Sequence, residues 1–191
     1  MKKALLFVVL ALAGALGYLA FLWMAPGGGG DRYAGDFALV DHHGNAITRA
    51  ALDGHPTLVF FGFTHCPEIC PTTLFEMSRW FEELGAEGAP LKAFFFTVDP
   101  ERDTPGLLGP YVTATTDRVT GITGDPEPVW ANAKAFNIFW RKVPLEGGDY
   151  TMDHTASVIL LKPDGSFFGT IAYGEALDSA VAKLRRLLAA S

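Results

Sequence analysis

Residues 60–74, FFGFTHCPEICPTTL, contain both cysteines of the 191-residue chain and decide how its fold is predicted. Residues 58–63 are largely apolar and are followed by turn-forming residues, a pattern that predicts a short buried strand. Pro71 suits the first position of a helix, where its missing N–H costs no hydrogen bond. We therefore expect Cys66 in the loop after the strand and Cys70 at the N-cap of a helix.

The sequence that follows supports the helix, because Leu74, Met77, Phe81 and Leu84 recur at helical spacing. A thiol at a helix N-terminus feels the helix dipole, which favours the thiolate that binds soft metals and attacks disulfides. Three residues separate the cysteines, unlike the C-x-x-C of thioredoxin-like redox sites or the paired C-x-x-C of zinc sites. A metal site or a redox disulfide is favoured. Two buried apolar cysteines or a purely structural disulfide are the alternatives.

Composition limits the class of protein. The length allows one domain of ordinary size plus a tail. A formal net charge of −6 without basic clusters argues against nucleic-acid binding. Two cysteines are too few for a disulfide-built scaffold.

The N-terminus predicts a membrane anchor over residues 1–25. Residues 4–25 contain no charge and are about long enough to span a bilayer as a helix. Lys2 and Lys3 precede them, which predicts a cytoplasmic N-terminus and a domain on the other side. A cleaved signal peptide is the competing interpretation. Residues 26–34 read as a glycine-rich linker, and residues 35–191 as the folded domain.

The rest of the domain alternates predicted strands and helices, and closes with a hairpin and a helix. A hairpin is predicted over 37–48, a strand over 91–98, and a helix from Thr104–Pro105 that Pro110 should kink or interrupt. A second helix is predicted from Asp125–Pro126 to about 136, followed by a strand over 138–143 and a polar loop over 145–153. The chain then forms a hairpin over 155–172 and an amphipathic helix with Leu177, Val181, Leu184 and Leu188 on one face. This order predicts an α/β sandwich with a central mixed sheet. Such sheets usually place their chemistry at a strand end beside a helix start.

His154 is the second informative position, because it stands between a polar loop and an apolar strand. Combined with Cys66 and Cys70, it could supply the third ligand of a site with two sulfurs and one nitrogen. That donor set suits Cu(I), which accepts three soft donors. Zinc would need a fourth ligand, and none is obvious in the sequence.

Several neighbours are weaker candidates. Asp153 could orient His154 by a hydrogen bond, and the segment Asp99–Thr104, which begins with Asp99 at the end of the 91–98 strand, could border the site. Each has a plainer interpretation, as a solvated loop acid for Asp153 and as part of an Asp–Arg pair for Asp99. Met152 could offer a thioether to Cu(I), whereas Met77 fits the core stripe of its helix.

These residues resemble the SCO/SenC family of copper-binding assembly factors for cytochrome c oxidase. The matching segments are residues 61–74, 97–105, 122–124 and 150–154, which together span the soluble domain. The departures are mild: Phe63 stands where the family often has tyrosine, and Glu68-Ile69 where it often has aspartate and valine. None of them removes a proposed ligand.

The resemblance implies a thioredoxin-like fold and copper bound by Cys66, Cys70 and His154. It also implies a metallochaperone that helps to mature the dinuclear copper centre of the oxidase. The expected partners are the copper-bearing oxidase subunit and another periplasmic copper donor. The expected location is the inner membrane, with one membrane span and the domain on the periplasmic side. Oxidation of Cys66 and Cys70 to a disulfide would abolish copper binding.

Other functions use the same residues. A thiol:disulfide reductase that keeps the oxidase's copper-ligand cysteines reduced is the main alternative. A peroxiredoxin-like peroxidase is weaker, because no separate resolving cysteine follows. A redox or copper sensor without a transfer role also stays open.

Overall fold

The computed structural model describes residues 33–191. The predicted anchor, residues 1–25, and linker residues 26–32 lie outside the described residues. In the part of the chain that is described, no helix is both long enough and apolar enough to cross a membrane.

The described chain forms nine strands, four α-helices and three short 3₁₀ helices. The strands are β1 (Ala38–Asp41), β2 (Ala46–Thr48), β3 (Thr57–Gly62), β4 (Lys92–Thr97), β5 (Val119–Thr123), β6 (Trp140–Pro144), β7 (Tyr150–His154), β8 (Val158–Leu161) and β9 (Phe167–Ile171). The α-helices are α1 (Ile69–Leu84), α2 (Pro105–Thr113), α3 (Pro126–Ala135) and α4 (Leu177–Ala189). The 3₁₀ helices are Arg49–Leu52, Gly85–Gly88 and Glu146–Gly148.

Seven strands form one mixed sheet in the order β2-β1-β5-β4-β3-β8-β9. Strands β3, β4 and β5 are parallel, and the outer pairings are antiparallel. The predicted central mixed sheet is therefore confirmed. Because α1 connects β3 to its parallel neighbour β4, the end of β3 and the start of α1 meet at one edge of the sheet.

The centre of the sheet is apolar on both faces. Every residue of β3 is buried, and so is every residue of β4 after Lys92. Such continuous apolar runs are typical of parallel strands that are covered on both faces. Phe60 contacts Phe95 edge to face with ring centroids 5.7 Å apart, and Phe61 stacks on Phe96 at 5.2 Å. These contacts fix β3, the strand that leads into the cysteine loop.

The helix predicted after the cysteines packs as its pattern indicates. The four apolar positions of α1 are all buried, at Leu74, Met77, Phe81 and Leu84. Helix α4 packs against α1, with Val181, Leu184 and Leu187 buried. The cysteine-bearing end of α1 thus belongs to a helix held along its length by the core.

Both predicted hairpins are present, as β1–β2 and β8–β9, but three local predictions were wrong. Strand β5 was not predicted, because the sequence VTGIT is short and contains a glycine. Residues 150–153, predicted as loop, belong to strand β7. Helix α2 continues through Pro110, so of the two predicted effects of this proline the interruption does not occur. Helix α1 begins earlier than expected, as described below.

Strands β6 and β7 form a separate two-stranded antiparallel sheet. It is an arm between α3 and β8, and it ends at His154. Trp140 of β6 pairs in register with His154 and stacks on Trp130 of α3, with ring centroids 4.9 Å apart. This arm is the element that brings the histidine to the cysteines.

Candidate metal centre

The two cysteines lie on either side of the start of α1. Cys66 is in the β3–α1 loop, and Cys70 is the second residue of α1. The backbone N–H of Cys70 donates to Sγ of Cys66 across 3.3 Å. One free N–H of the helix N-terminus therefore points at the Cys66 sulfur, where it stabilises negative charge.

The start of α1 corrects the prediction that Cys70 is the N-cap. Glu68 occupies the cap position with φ −140° and ψ −60°, and its side chain makes no capping hydrogen bond. Pro71 is the third helical residue, still within the first turn, where a missing N–H is tolerated. The N-terminal donors are thus directed at a sulfur instead of a capping oxygen.

Gly62, the last residue of β3, makes room for the Cys70 thiol. A Cβ at this position would lie 2.8 Å from Cys70 Sγ and 2.8 Å from the Phe95 ring. Only glycine lets the strand and the thiol approach this closely. The Cys70 side chain is accordingly fully buried.

His154, the last residue of β7, approaches the two cysteines from the β6–β7 arm. Nε2 of His154 lies 3.5 Å from Sγ of Cys70. Its Nδ1 lies 2.9 Å from the carbonyl oxygen of Thr155, which can only accept a hydrogen bond. Nδ1 therefore carries the proton, and the lone pair of Nε2 faces the sulfurs. This is the tautomer that a metal-binding imidazole needs.

Cys66, Cys70 and His154 form a group whose ligand atoms all lie within 4.8 Å of one another. A first-row metal ion with bonds of about 2.0–2.3 Å holds three trigonal ligands roughly 4 Å apart. A small contraction would therefore close the group around one ion. Two thiolates and one neutral imidazole are soft donors that suit copper.

The two thiols have opposite acidities. The hydrogen bond from the Cys70 side chain lowers the pKa of Cys66 to about 4, although burial acts in the opposite direction. The backbone N–H of Cys70 lowers the pKa of Cys66 further. Burial raises the pKa of the Cys70 thiol, and the neighbouring Cys66 raises it again. The group therefore holds one thiolate and one thiol, and a metal ion that bound both sulfurs would release the Cys70 proton.

An open cavity of about 440 Å³ gives access to the site. Its walls include Cys66, His154 and the buried Met152. Phe63 contacts the His154 ring edge to face at 5.8 Å, and Phe139 at the mouth is 58% exposed. The cavity leaves one side of the group open to a partner.

The weaker candidates from the sequence, two acids and two methionines, make other contacts than those first considered or only line the cavity. Asp153 pairs with Arg141 at 2.6 Å, and the His154 ring donates its Nδ1 hydrogen bond to the carbonyl oxygen of Thr155 and not to this carboxylate. Asp99 forms the predicted Asp–Arg pair, with Arg102. Met77 is a core residue, and Met152 lines the cavity.

Asp103 is a site neighbour that the sequence analysis included in the segment Asp99–Thr104 but did not single out. Its fully buried carboxylate accepts hydrogen bonds from the backbone and hydroxyl of Thr64 and from the hydroxyl of Thr97. It thereby ties the cysteine loop to the end of β4. Its position four residues after Asp99, just beyond the end of β4, was the sequence signal that could have placed it near the site. An acid in a polar segment is usually solvated, so its burial was not expected.

These observations define a thioredoxin-like α/β domain with a dithiol and an imidazole at the end of a central strand. The profile of the family described as SCO1/SenC matches residues 26–189. The chain belongs to the SCO1/SenC family.

Solved structures agree with this assignment. ScoI of Bradyrhizobium japonicum with copper bound is 40% identical, with a TM-score of 0.75, and the match covers 81% of this chain and 98% of that one. Yeast Sco1 with copper bound is 30% identical, with a TM-score of 0.76, and the match covers 83% and 89% of the two chains.

Among curated relatives, the mitochondrial SCO2 homolog of Bos taurus is 36% identical over 159 residues, 82% of this chain and 60% of the relative. The corresponding protein of Homo sapiens is also 36% identical, over 82% of this chain and 60% of the relative. The chain thus spans about three fifths of the length of these relatives.

Proposed function

We propose that this protein binds copper through Cys66, Cys70 and His154 and passes it on as a copper chaperone. The observation that carries the proposal is the convergence of an imidazole from β7 and two sulfurs from the start of α1 within 4.8 Å. The copper-bound structures of ScoI and Sco1 support it, since both proteins share this fold at 30% identity or more.

Copper transfer needs ligand exchange. Three ligands leave one coordination position of Cu(I) open, and the cavity beside Cys66 lets an acceptor's thiolates enter before the donor's ligands leave. The Cys70 proton that was released on loading can return as copper departs. His154 would increase the affinity for Cu(II) relative to Cu(I), because Cu(II) depends more on nitrogen donors.

The proposed acceptor is the copper-bearing subunit of cytochrome c oxidase, and the copper would come from another periplasmic donor. This part rests on the family resemblance of residues 61–74 and 150–154. We further propose that residues 1–25 anchor the chain in the inner membrane, with the domain on the periplasmic side. Alkaline extraction of membranes and protease accessibility of the domain in spheroplasts test the anchor and its orientation.

Anaerobic titration of the reduced protein with Cu(I), against a chromophoric chelator, tests copper binding. We expect one tightly bound Cu(I) per chain, and loss of tight binding in Cys66→Ser and Cys70→Ser. His154→Ala should bind more weakly, with Asp153→Asn as the control on the same strand. Unchanged affinity in His154→Ala would remove the imidazole from the proposed site.

A thiol:disulfide reductase is the second candidate, and the asymmetry of the thiols favours it. The Cys66 thiolate would attack a partner disulfide, form a mixed disulfide and release one partner thiolate. Cys70, after losing its proton, would attack Cys66, release the second partner thiolate and leave the domain oxidised. A reductase should act on a disulfide peptide without copper and without His154, whereas a chaperone should not turn over.

A further inference from the structure

The arm that carries His154 is not hydrogen-bonded into the main sheet, so side chains must fix its position. At its base, Trp140 stacks on Trp130 of α3, whereas the hydrogen bond from the N–H of Thr155 to the carbonyl of Phe139 only joins the two sides of the arm to each other. A second attachment is needed at the far end of β7, because a two-stranded arm held only at its base is free to tilt and twist.

Arg102 supplies that second attachment from the loop after β4. Its Nε donates to Oδ2 of Asp99, and its Nη1 donates to the carbonyl oxygen of Tyr150 at 2.9 Å. The same Nη1 lies 3.2 Å from Oδ1 of Asp149. One guanidinium therefore joins the loop to two consecutive residues at the start of β7.

Tyr150 completes the attachment. Its ring lies under the Arg102 guanidinium, 3.8 Å from ring centroid to Cζ, and its hydroxyl donates to Oδ1 of Asp99 at 2.8 Å. The side chain of Asp99 is 0% exposed and that of Arg102 is 18% exposed. Shielding from water makes these charged contacts more effective than a surface ion pair.

The attachment acts on the side of β7 that faces the sulfurs. Residues two and four apart on a strand point to the same face, so Tyr150, Met152 and His154 share one face. Tyr150 is held against Asp99 and Arg102, Met152 is buried, and His154 meets Cys70. Fixing the first of these residues fixes the direction of the last.

We propose that Arg102, acting through Asp99 and Tyr150, is a positioning residue that holds the β6–β7 arm so that Nε2 of His154 faces the two sulfurs. Its effect on copper rests on the proposed function, whereas its effect on the arm does not. Loss of the attachment should weaken binding of Cu(II), which depends on the imidazole nitrogen, more than binding of Cu(I), which two thiolates can hold.

The test compares Arg102→Gln and Tyr150→Phe with Arg141→Gln in the full-length protein. Arg141→Gln breaks the ion pair with Asp153, which is exposed and lies entirely within the arm. It therefore removes a contact from the same two strands without detaching them. Tyr150→Phe removes only the hydroxyl bond to Asp99 and keeps the ring under the guanidinium.

Hydrogen–deuterium exchange of the metal-free protein gives the first readout. We expect faster exchange of the amides of residues 140–154 in Arg102→Gln, a smaller increase in Tyr150→Phe, and none in Arg141→Gln. Unchanged exchange in a folded Arg102→Gln would overturn the proposal. Should this variant fail to fold, Tyr150→Phe decides in the same way.

Copper provides the second readout. Cu(II) affinity should fall about 10-fold in Arg102→Gln, as for groups that act behind a metal ligand, with a changed Cu(II) EPR spectrum and a smaller change in Cu(I) affinity. Equal losses for both oxidation states would contradict an effect through His154. Absence of copper binding by the wild-type protein would refute the proposed function, while the exchange data would still decide the role of Arg102.

Discussion

At the scale of single residues, the central feature is the unequal acidity of two thiols, one in the loop before α1 and one in its first turn. Cys66 faces the cavity and receives the hydrogen bonds, whereas Cys70 is buried beneath it and provides one of them. This division of roles has a direct chemical consequence for the metal-free, reduced protein.

We predict that iodoacetamide modifies Cys66 far faster than Cys70 at pH 6. The pKa of Cys66 is lowered to about 4 from the ordinary thiol value of about 8.5, so its thiolate persists down to about pH 4. Its reactivity should therefore fall as the pH drops through about 4. Peptide mapping after timed alkylation measures both sites.

Cys70→Ser is the informative variant for this prediction, because Cys70 is the main cause of the low pKa of Cys66. A serine hydroxyl is a weaker replacement for that donor, so the midpoint of Cys66 reactivity should move to higher pH. Equal modification of both cysteines in the wild type, with a midpoint near pH 8.5, would contradict the asymmetry.

Much of the site was predictable at this scale, for a physical reason. The three proposed ligands are chemically distinctive, and Cys66 and Cys70 are fixed by local chain geometry. Asp103 and the Thr155 carbonyl were not predictable. An acid signals nothing about its burial, and a backbone carbonyl has no sequence signature at all.

At the scale of elements, the site depends on how closely β3 approaches α1. Gly62 is the contact point, since a Cβ there would overlap the Cys70 sulfur and the Phe95 ring. Both neighbours are buried side chains in a packed core, which gives them little room to move.

We predict that Gly62→Ala displaces Cys70, weakens Cu(I) binding and destabilises the fold by about 1–3 kcal/mol through overpacking. Gly169→Ala is the matched control, because it also lies in a strand and a Cβ there meets nothing within 4 Å. Chelator competition and urea unfolding of both variants provide the measurements. Equal behaviour of the two variants would show that the close approach has no role.

The elements also show where sequence patterns stop being informative. Strands β3 and β4 were predictable, because burial on both faces demands a continuous apolar run. Strand β6 is mostly exposed and carries Arg141 and Lys142, and two consecutive glycines precede β7, so the arm lacks an apolar pattern and is positioned by tertiary contacts such as that of Arg102 with Tyr150. The early start of α1 was missed because its cap position makes no side-chain hydrogen bond.

At the scale of the whole molecule, the site and the start of the described chain lie at opposite ends of β3. The N–H of Tyr33 donates to the carbonyl of Gly165 in the β8–β9 turn, and this turn adjoins the beginning of β3, where Thr57 pairs with Leu161. The cysteines follow the other end of β3. The described chain therefore begins at the end of β3 that lies away from the cysteines.

We predict that copper stabilises the whole fold, because its proposed ligands come from the start of α1 and the end of β7. A ligand that binds only the folded state at 1,000 times its dissociation constant stabilises it by about 4 kcal/mol. Anaerobic thermal unfolding with and without Cu(I) measures this effect. The Cys66→Ser, Cys70→Ser double variant should show no shift, and an equal shift in that variant would indicate binding elsewhere.

X-ray absorption spectroscopy of the anaerobic, Cu(I)-loaded protein tests the central claim most directly, because it counts the donor atoms around the copper. We expect two sulfurs and one imidazole nitrogen in the wild type, and loss of the nitrogen with both sulfurs kept in His154→Ala. A wild-type spectrum with sulfur donors alone, or an imidazole signal that persists in His154→Ala, would contradict it.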